Sequence, residues 1–137
     1  MALQLDIVTP EKKIFSDTVD NVYLPGADGE MGILPSHAGL VTALQPGELR
    51  YLHNGQVETL AIGSGFAEVT QTKVIVLTDS ALGEAEIDEA QVEAAIQRAE
   101  AKLATIDHNL DSEEVAYLQG VIAKSSAALR FKRKYQH

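Results

Sequence analysis

The chain has no cysteine and no tryptophan, and only three phenylalanines and four tyrosines among its 137 residues. Without cysteine there is no disulfide framework, no thiolate metal site and no thiol nucleophile, a composition that suits a reducing interior. With so few rings, the core has to be aliphatic. No segment reaches the ~18 consecutive apolar residues of a spanning helix. The N-terminus has neither a basic leader nor a continuous apolar run, so no signal or transit peptide is expected and any membrane link is expected through partners. Basic residues are scarce too: eleven Lys and Arg stand against twenty Asp and Glu, a net charge of −9. That balance disfavours nucleic acid as a partner. There is no H-x-x-x-H pair and no clustered carboxylate and histidine set, so no metal site is expected.

What is present is enough for one domain, or one domain and an appendage: 45% of the residues are apolar. Leu3, Leu5 and Ile7 alternate with Gln4 and Asp6, the period of a half-buried strand, and Thr9-Pro10 ends it. Short strands follow over residues 13–15, 20–24, 32–34 and 40–44. Residues 48–53 and 56–62 bracket Asn54-Gly55, the strongest short-range hairpin signal. Residues 64–70 and 73–78 form another hairpin. About eight to ten short strands with turns between them argue for an antiparallel sandwich or flattened barrel. Gly63-Ser64-Gly65 lacks the spacing of a nucleophile elbow and reads as a bulge where backbones approach closely.

Composition changes over residues 81–86 from β-branched to Ala- and Glu-rich, which places a boundary between a sandwich of residues 1–85 and a helical segment of residues 86–137. Asp88 with Gln91 opens a helix over residues 88–106, striped by Val92, Ala95, Ile96, Ala99, Leu103 and Ile106. Asp107 breaks it. Asp111 with Glu114 starts a second helix, striped by Val115, Leu118, Ile122, Ser125 and Leu129. So short a connection predicts an antiparallel two-helix hairpin, and the fold class is α+β. Its stripes are rich in alanine, which buries one methyl where leucine buries four carbons, so the helices hold together modestly. Such a pair is either a marginal packed appendage or a switch that opens. Lys124, Arg130, Lys132, Arg133 and Lys134 make its end basic in an otherwise acidic chain. The charges either complement the helix dipole or dock an acidic protein surface.

Residues 25–47 are the most heavily punctuated stretch, with Gly26, Gly29 and Gly32 at equal spacing, then Pro35, Ser36, His37, Ala38 and Gly39, and a close on Pro46-Gly47. The glycine spacing is wrong for a dinucleotide fingerprint or a P-loop, and Asp28 and Glu30 would repel an anion. His37 beside Ser36 reads either as a turn residue or as a base.

The run GEMGILPSHAGLVTALQPGELR, with LDIVTPEKKIFSDTVDNVYLPG before it and GSGFAEV after it, resembles the epsilon subunit of F-type ATP synthases. That family shows G-E-x-G-I-x-P-x-H-A-P-L-x-T followed by P-G; here Gly39 stands where proline is usual. The resemblance implies a β-sandwich and a helical hairpin in a non-catalytic central-stalk subunit. Its partners would be the gamma subunit, the c-ring and, through the helices, the alpha/beta catalytic head. It would lie peripherally on the cytoplasmic face of a bacterial plasma membrane, coupling ring rotation to ATP synthesis and inhibiting hydrolysis when the hairpin extends. Glu30, Met31, Ser36, His37 and Ala38 would make the c-ring and gamma contact, and the five cations of the last helix the inhibitory docking. Some members bind ATP through I-D-x-x-R-A. Ile87 and Asp88 match and Arg98 fits a later arginine, but Gln91 and Val92 replace the Arg-Ala pair, so ATP binding is expected to be weak or absent and no other cofactor is implied. Two other readings compete: a ligand-binding sandwich with a helical lid, and an enzyme using His37 with Asp28 or Glu30.

Overall fold

The computed structural model describes residues 3–34 and 39–135. The chain divides into two compact units, Met1–Gly83 and Glu84–His137. The described residues of the first form ten strands: β1 Leu3–Val8, β2 Lys13–Val19, β3 Asn21–Gly26, β4 Gly29–Ile33, β5 Leu40–Leu44, β6 Gly47–His53, β7 Gln56–Ile62, β8 Gly65–Val69, β9 Lys73–Thr78 and β10 Ala81–Leu82. They are linked in the order β10-β7-β6-β3-β5-β8-β9-β1-β2, with β4 on β3. Every pair is antiparallel except β1 with β9, which runs parallel from Gln4 opposite Lys73 to Val8 opposite Leu77.

Period-two patterning aims one face of nearly every strand inward. Leu3, Leu5 and Ile7 of β1, Val22 and Leu24 of β3, Leu49 and Tyr51 of β6, Ala67 and Val69 of β8, and Val74 and Val76 of β9 share one core. Fully burying each Leu, Ile or Val contributes about 1.5–3 kcal/mol. The sheet folds over on itself to close that core. Although β2 and β6 lie far apart in strand order, Phe15 of β2 packs at 4.6 Å between ring centroids on Tyr51 of β6. Beside them, Asp17 Oδ2 lies 3.0 Å from His53 Nε2.

A turn and a close backbone approach explain the register. Asn54 and Gly55 take φ of 54° and 79° between β6 and β7, the backbone a two-residue hairpin loop with matching twist demands. At Gly65, a Cβ would collide with the Leu77 carbonyl oxygen and lie 2.8 Å from Thr78 Cα. The close backbone approach read from Gly63-Ser64-Gly65 is therefore present, and Thr78 Oγ1 donates to the Ser64 carbonyl oxygen at 3.0 Å across it. No feature of a nucleophile elbow accompanies it, since strand β8 rather than a helix follows.

The second unit begins with a 3₁₀ turn, Glu84–Glu86, followed by α1 Glu89–Leu103 and α2 Ser112–Tyr135. Asp88 is the N-cap of α1 and accepts from the Gln91 N–H at 3.2 Å. α1 ends three residues before the expected residue 106. There the Thr105 hydroxyl donates to the Lys102 carbonyl, and the Asp107 carboxylate takes the Asn109 N–H at 2.9 Å, so side chains satisfy backbone groups that another helical turn would have used. The helices are antiparallel: Lys102 at the end of α1 pairs with Glu114 at the start of α2, and Glu89 and Glu93 at the start of α1 pair with Arg133 at the end of α2. Leu118 is buried as its stripe requires, but Ala127 and Phe131 are buried too, about half a turn of the helical wheel away from it. Among the described residues no helix is long and apolar enough to cross a membrane.

Candidate functional site

β3 and β4 form a hairpin whose register sets Glu30 opposite Pro25 and Gly32 opposite Tyr23, while Tyr23 is also opposite Arg50 on β6. Alternation puts Arg50, Tyr23, Gly32 and Glu30 on the face away from the core. A Cβ at position 32 would sit 3.0 Å from Tyr23 Cε1, so the glycine leaves the ring its place. The Arg50 guanidinium lies over that ring at 4.7 Å. From there Arg50 Nη2 donates to both Glu30 oxygens at 2.9 Å, and Nε lies 3.8 Å from Glu48. The Glu30 carboxylate on β4 is thus held by a cation on β6, reached across β3. Met31 points the other way and packs against the core, so Glu30 and Met31 do not share a face. Ser36, His37 and Ala38, the remaining residues expected at this surface, lie outside the described residues.

A second feature of the sandwich is apolar and outward-facing. On β5, β8 and β9 the register sets Ala43 opposite Phe66 and Phe66 opposite Leu77. Phe66 is 60% exposed, Leu77 53% and Val41, two residues along from Ala43, 72%. Beside Leu77 a cavity of about 370 Å³ is lined by Val8, Thr9, Pro10, Ser64, Gly65 and Thr78 among others.

In the second unit, the basic end of α2 is folded back onto acids. Lys132 Nζ lies 2.8 Å from Glu84 Oε1 and donates to the Glu84 carbonyl oxygen at 3.2 Å. Its side chain is only 17% exposed. Arg133 donates through Nε to Glu89 and through Nη2 to Glu93, both at 2.7 Å. Hydrogen bonding to Glu89, first among the causes, pushes the guanidinium further above its ordinary value. Arg130 is exposed, Lys124 is half-buried, and Lys134 Nζ sits 5.2 Å from the Tyr135 ring centroid. Of the eroded nucleotide motif, Ile87 is buried, Asp88 caps α1, and Gln91 and Arg98 are exposed. Among the described residues, no group of three or more His, Cys, Asp or Glu side chains is placed to hold a metal ion.

Arg50 and the acids Glu84, Glu89 and Glu93 are the residues that reading along the chain missed. The acids had a signal: carboxylates open α1, cations close α2, and an antiparallel pair brings those ends together. Arg50 had none short of knowing that β6 pairs with β3.

Residues 2–84 match the family model of the ATP synthase Delta/Epsilon chain, beta-sandwich domain. The class is therefore a β-sandwich subunit of a rotary ATP synthase. The ATP synthase epsilon chain of Desulforamulus reducens is 45% identical over 129 residues, 94% of each chain. That of Herpetosiphon aurantiacus is 41% identical over 98% of this chain and 100% of its own. A chain in the mitochondrial ATP synthase of Euglena gracilis, solved as OSCP, F1 and c-ring, superposes with a TM-score of 0.75 at 26% identity, covering 93% of this chain and 81% of that one. A chain from the central stalk and c-ring of the Tetrahymena thermophila enzyme has a TM-score of 0.59 at 11% identity, which shows the fold alone. The chain belongs to the ATP synthase epsilon-chain family. It is a non-catalytic subunit of the central-stalk type, and the catalytic sites lie in other subunits.

Proposed function

We propose that the sandwich couples ring rotation to the stalk and that the helical pair brakes ATP hydrolysis by the catalytic head. The observation that carries this reading is the division of one chain into a well-packed sandwich and a helical pair with a basic end, over a length that epsilon chains match almost throughout. The exposed strip of Val41, Phe66 and Leu77 with its apolar cavity is surface for the gamma subunit, because contiguous apolar area of this kind marks a protein interface. The β3–β4 hairpin carrying Glu30 faces the c-ring. Lys124, Arg130, Lys132, Arg133 and Lys134 meet an acidic segment of the alpha/beta head, an encounter that long-range attraction speeds and salt weakens. In a bacterium this places the chain at the cytoplasmic face of the plasma membrane, held there by the complex. ATP is at most a weak ligand, since Gln91 offers no cation for a triphosphate and Asp88 is occupied as a helix cap.

The test is ATP hydrolysis by the gamma-containing catalytic complex of the same organism, with the full chain and with a version ending at Ala85. Binding by both and inhibition by the full chain alone would make the helices the brake and the sandwich the anchor. Binding by both without inhibition removes the brake and leaves the coupling role. Failure of both to bind removes the whole reading.

A further inference from the structure

We infer that Lys132 and Arg133 form a clasp with Glu84, Glu89 and Glu93 that holds the free end of the helical pair closed and masks the cations an acidic partner would need. The inference rests on the braking role proposed above for its consequence, but the clasp itself is a property of the isolated chain. At the end of α2 the two cations face three carboxylates, Glu84 in the 3₁₀ turn and Glu89 and Glu93 at the start of α1, at 2.7 to 2.8 Å. They are grouped at one end. At the other end the short connection keeps α1 and α2 together at a high effective concentration whatever the side chains do. Separation therefore starts where the chain does not enforce proximity, and that is where these ion pairs sit.

The pairing makes opening and docking exclusive uses of the same charges. With the pair closed, Lys132 is largely covered, and Nε and Nη2 of the more exposed Arg133 are turned to Glu89 and Glu93. An acidic surface can take these cations only by displacing the intramolecular carboxylates. Conversely, any condition that weakens the clasp raises both the open population and the charge on offer. Each of these partly exposed pairs is individually weak, so the clasp is set to yield to a competing acidic surface rather than to lock.

The clasp has two sides, and they predict opposite functional outcomes from the same structural change. Neutralising the acids, in the variant Glu84→Gln/Glu89→Gln/Glu93→Gln, opens the pair and leaves the cations ready to dock. Neutralising the bases, in Lys132→Gln/Arg133→Gln, opens it and removes them. Because the chain has no cysteine, spin labels on Ala90→Cys and Ala123→Cys report the interhelical distance in the full chain without background. At low salt, both variants are expected to raise the ratio of open to closed by about fivefold. The unsubstituted chain should reach a similar ratio in ~0.5 M salt. Glu93→Arg should open the pair, and adding Arg133→Glu should close it again.

Unchanged distances in both neutralised variants, or a salt-insensitive parent, would overturn the clasp. So would a variant that loses its helical circular dichroism instead of its interhelical contact, since the pairs would then be maintaining the helices and not joining them. In the hydrolysis assay the acid-neutralised variant should inhibit more than the parent and the base-neutralised variant less. If distances change as expected and hydrolysis does not respond, the clasp stands and the braking role falls. If hydrolysis responds without any change of distance, docking by these cations stands and the clasp falls.

Discussion

Among the described residues, seventeen buried apolar side chains lie in Met1–Gly83, and all ten of the largest fully buried ones are among them. In Glu84–His137 five are buried among the described residues, and two of those are alanines. A buried Leu or Ile contributes about 1.5–3 kcal/mol and a methyl roughly 0.8 kcal/mol. The sandwich is consequently held by its core. The helical pair is held by helix propensity, a few apolar contacts and surface ion pairs of about 0.2–1 kcal/mol each. That difference separates an anchor, whose shape is fixed, from an arm whose arrangement responds to salt and to partners.

The sharpest way to test the contrast is to cut into the core of the anchor. Leu49→Ala should cost the sandwich about 2–5 kcal/mol, read as lost hydrogen-exchange protection of the β6, β3 and β9 amides. Amides of α1 and α2 that begin as strongly protected as those of β9 would show that the helical pair is as firmly held as the sandwich. A smaller effect is expected at the entrance to the arm. Asp88→Ala removes the N-cap and should cost about 1 kcal/mol of local stability, seen as faster exchange of the first-turn amides of α1, with strand amides unaffected.

The smallest effect separates the units by pH. The Ser16 hydroxyl first, then Gln4 and Lys73, hold the Asp6 carboxyl down at about 2, below the 3.8 of an unperturbed aspartate. A depressed carboxyl stabilises the fold above its unfolded value and loses that contribution as pH falls from about 4 through about 2. Ser16→Ala should raise the Asp6 midpoint, measured by carboxyl NMR titration, and flatten this part of the sandwich's acid dependence. An Asp6 midpoint that does not move would show that Ser16 is not its principal partner.

Much of the sandwich could be read along the chain because its signals are local. Alternation at Leu3, Leu5 and Ile7 and the Asn54-Gly55 turn each specify a backbone within a few residues. β4 starts at Gly29 instead of residue 32, and the two-residue β10 fell inside the expected boundary segment. Neither has β-branched runs; both become strands only through pairing, with β3 and with β7. The parallel β1–β9 pair was invisible for the same reason. In α2 a single stripe found Leu118 but missed Phe131, whose burial lies on another side of the helix. Glu30 could be placed from its motif, whereas its hold on Arg50 depended on two intervening strand pairings.

Legible from the residues in order were the succession of strands and helices, the aliphatic core, the change of character over residues 81–86, the capping of α1 by Asp88 and, through its long ordered motif, the family. These follow from propensity, period and turn chemistry, all of which act over a few residues. Only long-range packing settles that the sheet folds over to bring Phe15 onto Tyr51, that Arg50 holds Glu30, and which acid near the start of α1 each cation at the end of α2 meets. Those contacts join positions from 20 to 48 residues apart, and no local rule reaches that far.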